Sequence, residues 1–415
     1  MSGPAISRRA MIAATSAAIA LDGAKGGVMI KSESYDVAVV GAGVFGAWTA
    51  ERLRAAGQKV LLIDAWGPAH ARASSGGESR LTRTAYGADD VYTKMAWDSL
   101  GDWKRLSALA GLPIFHEAGV LFFFQGEHPY ATATMAAHKA LKLPTQLLDR
   151  AAMAQKFPQM EFSDVALGLY EPKLGILMAR RAVQTLVDRF VRGGGAYFQA
   201  QIKPPQAGKP LDALTTVRGD TIRAKRFVFA CGPWLPKLFP DLIGSKIFPT
   251  RQEVFFFAPP AGGTRFGADT QPGWADFNEG SLYYGCPDLE ARGFKIAFDK
   301  HGPPIDPDKG DRIASNEGLT NVRAYMERRF PAMAGAALVE SRVCQYENSA
   351  NGDLLIDRHP DWANAVIVGA GSGHGFKHGP EVGRYAAQLL LGTLSKVEPR
   401  FSLASKGSVQ DRAVH

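Results

Sequence analysis

Tyr35-Asp-Val-Ala-Val-Val-Gly41-Ala-Gly43-Val44-Phe45-Gly46 is an apolar strand that runs straight into three spaced glycines. Gly41 allows a tight turn out of the strand, and Gly43 lets the backbone approach a pyrophosphate with no Cβ in between. Gly46 lets the following helix lie close to the sheet. Val44 and Phe45 open that helix, whose free N–H groups and positive dipole end favour phosphate. It is predicted over residues 44–56 as an amphipathic helix, with Ala47, Ala50, Leu53 and Ala56 on one face. The next strand, residues 59–63, ends at Asp64, about 20 residues past the glycines, where a carboxylate can take both hydroxyls of a ribose. Any strand, turn and helix shares some of these parts. All of them in this order point to a bound dinucleotide.

Upstream of the fingerprint, Ser7-Arg8-Arg9 precedes a small, apolar stretch over residues 10–21, with Ala18, Ala20 and Ala24 at small-residue positions. That is the outline of a twin-arginine export signal. The apolar part is too short to span a membrane, so residues 1–30 are read as a removable leader and linker. A disordered terminus with two incidental arginines is the alternative. Export of a folded, cofactor-loaded chain would place it in a bacterial periplasm; without the signal it is cytoplasmic.

Composition narrows the class further. The 415 residues suffice for two intimately joined domains with a large core. The net charge of +8 is dispersed, with no basic run interleaved with aromatics, so a nucleic-acid partner is not expected. The three cysteines, Cys231, Cys286 and Cys344, are too few and too scattered for a disulfide framework. No CxxC occurs, and no metal site is expected. Cys231 and Cys286 read as core residues.

Nucleotide-domain elements return in separated blocks. The Gly- and Ser-rich residues 73–79 lead to Arg80-Leu-Thr-Arg83, and a helical region follows through Trp103 and Leu109. Residues 119–125 are strand-like, and 179–192 are helical, with Ala182, Leu186 and Phe190 on one face. A strand over 226–230 ends in Cys231-Gly-Pro-Trp234, and residues 248–298, rich in aromatics with Gly and Pro breaks, read as antiparallel sheet. Residues 365–368 feed Gly369-Ala-Gly371-Ser-Gly373-His-Gly375-Phe376-Lys377 and a helix over 381–391. The expected architecture is α/β plus β. A doubly wound, Rossmann-like domain is built from residues 34–115, 175–247 and 346–402. A mostly antiparallel β substrate domain, residues 116–174 and 248–345, is inserted into it, and 403–415 form a tail. The second glycine block favours FAD over a nicotinamide cofactor. An extended cofactor held at residues 41–46 could place its far end at a helix starting near Pro380, where reduction puts negative charge.

Several further motifs occur in order: Gly76-Gly-Glu-Ser-Arg80-Leu-Thr-Arg83-Thr-Ala-Tyr86-Gly, Pro249-Thr-Arg251-Gln252, Tyr283-Tyr284-Gly-Cys-Pro287, Lys295, Cys344-Gln-Tyr346 and Ser372-Gly-His374-Gly-Phe-Lys377. On these, residues 35–401 resemble the monomeric sarcosine oxidase and N-methyltryptophan oxidase family, within the group that includes D-amino-acid oxidase and glycine oxidase. The resemblance implies a monomeric FAD enzyme that oxidises secondary or N-alkyl amino acids. A hydride passes from the amine C–H to flavin N5, the imine hydrolyses, and oxygen reoxidises the flavin to give hydrogen peroxide. It implies that Cys344 carries the flavin as a thioether and that Arg83 and Lys377 clamp the substrate carboxylate. It further implies that Lys295 activates oxygen, that Arg80 supplies positive potential beside the flavin, and that Tyr284 and Tyr346 line the substrate pocket. Gly41, Gly43, Val44, Phe45, Gly46, Asp64, Gly373, Gly375, Phe376 and Lys377 are its expected cofactor contacts beside Cys344.

One departure bears on the substrate. Sarcosine-oxidising members tend to carry a histidine four residues after the oxygen-activating lysine, whereas this chain has Asp299. An acid there is expected to bind a cationic group or the amine itself, favouring a substrate bulkier or more basic than sarcosine; a turn acid is the alternative. A dehydrogenase using another electron acceptor fits the same motifs. So does a flavin-binding protein without turnover, and a nicotinamide enzyme would share only the first fingerprint.

Overall fold

The computed structural model describes residues 34–206, 210–278 and 282–410, so the export signal read in residues 1–30 lies outside the described residues. Three sheets organise the chain. The first runs in the order Leu355–Arg358, Ala365–Gly369, Thr221–Phe229, Tyr35–Val40, Val60–Asp64, Ala196–Gln199, with Ala213–Thr215 paired to Thr221–Phe229. The five strands from Ala365–Gly369 to the edge strand Ala196–Gln199 are parallel. Val37 to Val40 are buried on both faces, which is why they form a continuous apolar run rather than an alternating one. The carboxyl ends of these strands deliver Gly41, Asp64, Ala230 and Gly369 to one edge, where an open parallel sheet binds its ligand.

The helix Val44–Ala55 departs from its expected amphipathic form. Val44 to Ala50 are buried all round, and Ala56 is exposed beyond the helix end. The cause is a second helix, Gly379–Leu391, packed on its outer side so closely that a Cβ on Gly383 would stand 2.6 Å from the Trp48 carbonyl carbon. Ala179–Arg192 covers the same sheet through Ala182, Leu186 and Phe190.

The second sheet has eight strands, in the order Leu338–Ser349, Ile247–Phe257, Phe294–Phe298, Tyr283–Cys286, Gly273–Asp276, Val120–Phe124, Leu167–Glu171, Gln146–Asp149. One pairing corrects the antiparallel expectation: Gly273–Asp276 lies parallel to Val120–Phe124. These strands come from distant parts of the chain, and no hairpin turn fixes their relative direction. A small third sheet, Ser79–Thr82, Gly175–Met178 and Phe115–His116, is antiparallel and carries Arg80 between the other two.

Candidate active site

Two adjoining cavities occupy the carboxyl edge of the parallel sheet. The first, of about 300 Å³, is lined by Gly41, Gly43, Val44, Phe45, Asp64, Gly373, Gly375 and Phe376. The second, of about 520 Å³, is lined by Arg80, Arg83, Tyr284, Lys295, Asp299, Cys344, Tyr346 and Lys377. His70, Ala73, Arg80, Tyr346, Gly373 and Phe376 face both, so one extended ligand can run from the glycine fingerprint to the cationic chamber.

The first cavity fits a dinucleotide by its own geometry. Gly41 has φ +104°, and a Cβ there would stand 2.2 Å from the Ala230 carbonyl oxygen, so the protein itself requires glycine. Gly43 is different. A Cβ there would meet only Ser75 Oγ at 3.5 Å, an ordinary contact, so the demand for a bare backbone comes from whatever binds in the cavity. The helix behind it has Gly43 as its N-cap, and its first N–H, that of Val44, donates to Ser75 Oγ at 3.1 Å. Asp64 lies across the cavity, its Oδ2 accepting from Ala42 N at 2.7 Å and its Oδ1 from Trp66 N and Gly67 N at 2.8 Å. These bonds fix the carboxylate for a hydroxylated ligand. Gly46 does not line the cavity; its missing Cβ makes room for the Gly41 carbonyl.

In the second cavity the cations are organised by aromatic rings. The Arg83 guanidinium carbon stands 4.2 Å from the Tyr86 ring centroid, and Lys377 Nζ stands 5.2 Å from the same centroid. Residues roughly 300 positions apart therefore meet on one ring. Tyr86 is in turn held by its hydroxyl, 3.1 Å from His374 Nδ1 and 2.7 Å from His378 Nε2. Lys377 Nζ donates to the His374 carbonyl at 2.7 Å. Burial, and then the neighbouring Arg83, push the Lys377 pKa well below the ordinary lysine value. Burial also works against the charge of Arg83, but Tyr86, Tyr130, Glu171 and Asp299 hold its pKa above the ordinary value. An incoming anion offsets the repulsion between the two cations and favours the charged form of Lys377 beside Arg83, and a planar guanidinium suits a carboxylate.

A second group gathers on the carbonyl of Ser79, which accepts from Arg80 Nη1 at 2.8 Å and from Lys295 Nζ at 3.2 Å. Arg80 also donates to the Ser74 carbonyl at 2.6 Å and reaches Cys344 Sγ at 3.6 Å. Lys295 is 2 % exposed and lies 5.1 Å from the Tyr284 ring centroid, and burial lowers its pKa. Cys344 thus has a guanidinium beside its sulfur, in the wall of the second cavity.

Asp299 is buried just past the strand Phe294–Phe298 rather than in an exposed turn. Tyr346 donates to its Oδ1 at 2.7 Å, and Tyr346 is hydrogen-bonded in turn with Tyr284. Burial pushes the Asp299 pKa up to about 6, against the opposing pull of Tyr346, Arg83, Lys295 and Lys377. Its carboxyl is therefore the acid that faces the cations of both groups.

Some expectations change. The helix Gly379–Leu391 does not itself face either cavity, because the turn Phe376–His378 intervenes and Gly379 packs on Val44 and Trp48; the cavity walls come from Gly371 to Lys377. Cys231 is not a core residue. It lines the nucleotide cavity, with Sγ 3.6 Å from the Val40 carbonyl, whereas Cys286 is buried. Sequence reasoning assigned no role to Tyr86, His374, His378, Glu171 or Glu347. Glu171 is fully buried behind Arg83, where it accepts from Thr84 N at 2.9 Å. Tyr86 and His374 lay inside the motifs of the active-site segments, but nothing local marks Glu171. Among the described residues, no cluster is placed to hold a metal ion, and no helix is long and apolar enough to cross a membrane.

A dinucleotide cavity opening into a cationic, aromatic-walled chamber defines a dinucleotide-dependent oxidoreductase. Residues 36–389 match the FAD dependent oxidoreductase family, and the chain belongs to it. It is 31% identical over 368 residues to the monomeric sarcosine oxidase of Bacillus sp. (strain B-0618), covering 87% of this chain and 93% of that one. It is 29% identical to the N-methyl-L-tryptophan oxidase of Citrobacter koseri, covering 86% of this chain and 95% of that protein. Among solved structures, the L-proline dehydrogenase of P. horikoshii superposes with a TM-score of 0.78 at 19% identity, covering 89% of this chain and 97% of that one. At that identity the likeness speaks to the fold.

Proposed function

We propose that this FAD enzyme oxidises the C–N bond of a secondary or N-alkyl amino acid. The observation that carries the reading is the meeting of Arg83 and Lys377 on the Tyr86 ring, in a chamber continuous with the nucleotide cavity. FAD, when bound, supplies the two-electron acceptor. The Arg83 guanidinium takes the substrate carboxylate by parallel N–H bonds, and Lys377 adds a second charge beside it. Fixing that end fixes the reacting C–H against the chamber wall, which is worth more than the contact energy alone. Asp299 accepts from the substrate nitrogen while Tyr346 holds its other side, and an amine bulkier or more basic than sarcosine satisfies an acid in that place. Leu282, Phe122 and Phe277 give the same chamber an apolar wall for a side chain.

Cys344 would hold the flavin covalently, with the Arg80 guanidinium beside its sulfur, and Lys295 would provide the cation for reaction with oxygen. The leader at residues 1–30 directs the loaded chain to the periplasm.

The test is anaerobic bleaching of the purified yellow protein against N-methyl and cyclic amino acids, with admission of air and a peroxide assay. Bleaching by such substrates, and none by the corresponding amines lacking a carboxylate, supports the reading. A flavin that no amine reduces overturns it. A bleached flavin that air leaves reduced assigns a different electron acceptor. Fluorescence that stays with the denatured polypeptide, and is lost in Cys344→Ser, identifies the attachment site.

A further inference from the structure

Glu347 lies three residues past Cys344 on the strand Leu338–Ser349 and lines the nucleotide cavity. It is 6% exposed. Its carboxyl accepts from the backbone N–H groups of Gly371 and Ala370, but its buried Oε2 has no hydrogen-bond partner among the described residues. That oxygen stands 3.6 Å from where a Cβ of Gly232 would be, over the turn that follows the strand Thr221–Phe229.

Among the described residues, no cation acts on this carboxyl. From the turn comes Cys231, whose thiol burial keeps protonated and on which both Asp64 and Glu347 act. The paired strand sets Pro249 opposite it, and the helix start contributes Phe45 beside Gly371. Elsewhere in the cavity wall, Lys237 is held by Asp306 and Asp308, and Arg80 is held by the carbonyls of Ser74 and Ser79. Burial pushes the Glu347 pKa up to about 7 before any ligand enters. A diphosphate entering this cavity makes an ionised carboxylate less favourable still, by adding like charge and removing water. The protonated form instead has an O–H to give to a phosphate or hydroxyl oxygen.

We propose that Glu347 is a cofactor-binding residue that donates its carboxylic proton to the chain linking adenosine to the flavin, so that in alkaline solution, where the free chain has lost that proton, FAD uptake draws one from solvent. The inference rests on the flavoprotein reading and goes beyond it, because no glycine or acid of the fingerprint has this role. FAD would be titrated into the Cys344→Ser chain, where binding is reversible, between pH 6 and pH 9, with flavin fluorescence as readout. The affinity is expected to fall about tenfold per pH unit above pH 7, with proton uptake detectable as a dependence of binding heat on buffer ionisation. Adding Glu347→Gln, whose amide still donates, should keep the affinity at pH 6 within a few-fold and flatten the profile. Adding Glu347→Ala should weaken binding at every pH and also flatten it. A Glu347→Gln chain that keeps the slope, or a Glu347→Ala chain that binds as tightly as its parent, overturns the proposal and leaves the flavoprotein reading standing. No FAD binding by Cys344→Ser at any pH overturns both.

Discussion

Alanine at Gly43 and alanine at Gly41 should act in opposite directions on the apoprotein. At Gly43 the backbone is extended (φ −73°, ψ −177°), and the nearest atom to a new Cβ is Ser75 Oγ at 3.5 Å. The folded state therefore accepts the methyl, while the unfolded chain loses freedom, so stability should rise by about 0.4–1 kcal/mol. At Gly41, φ +104° adds about 1–2 kcal/mol of backbone strain. The Cβ 2.2 Å from the Ala230 oxygen also forces the end of the central strand pair apart, at a further cost of about 1–3 kcal/mol. Urea unfolding of the apoproteins measures both, and FAD titrated into each variant in the Cys344→Ser background measures binding. Gly43→Ala should unfold no earlier than the parent yet lose most of its FAD, because the methyl fills the space the diphosphate needs. If Gly43→Ala retains FAD with parental affinity, the cavity is not where the diphosphate lies. If it unfolds earlier, the open space beside Gly43 has been misread.

Asp299→Asn keeps an acceptor for Tyr346 and removes a titrating group. With its pKa raised from 3.8 to about 6, folded Asp299 holds a proton that the unfolded chain releases, so its contribution to stability is greatest below pH 4 and is lost as pH rises to 6. The variant should lack that fall, a difference of about 2 kcal/mol between pH 4 and pH 8 in paired denaturation curves, and parallel curves would count against it. Arg83→Gln should lower kcat/KM for carboxylated substrates by roughly 10- to 150-fold, the loss of a charged hydrogen-bonded pair. Amines without a carboxylate should show little change, and an equal loss for both would remove Arg83 from substrate binding. Arg329 is 1% exposed and pairs with Asp164 at 2.8 Å and with buried Asp276 at 3.2 Å. Arg329→Leu should destabilise by about 3–5 kcal/mol at pH 8, and by less at pH 5, where Asp276 can take up a proton; a uniform loss at both pH values would refute the charge argument.

What was legible in the sequence was local. The fingerprint could be read because strand, turn and helix are neighbours in the chain, so Gly41, Gly43 and Asp64 carry their own context. The helix 179–192 could be read because one face is apolar and the other charged. The helix at Val44 was misread as amphipathic because the second helix that buries its outer face arrives more than 300 residues later. The parallel pairing of Gly273–Asp276 is invisible for the same reason, since strand direction across an insertion has no local mark. Arg83 and Lys377 could be named from motifs, but the Tyr86 ring that joins them could not be deduced from spacing. Glu347 was unmarked because an isolated glutamate on a strand reads as a solvent-facing residue. Only the surrounding turn and glycine loop show it to be buried.

The central parallel sheet has a consequence for synthesis. Its middle strand, Tyr35–Val40, is among the first made, but its neighbours include Thr221–Phe229, and beyond that Ala365–Gly369. Gly373 and Phe376, which close the nucleotide cavity, follow later still. A growing chain on the ribosome therefore has no complete cavity until residues 371–376 have been made, and such long-range pairing is slow to form. Cofactor capture must wait for the loop of residues 371–377, and a product truncated before it would carry the fingerprint without being able to hold the flavin.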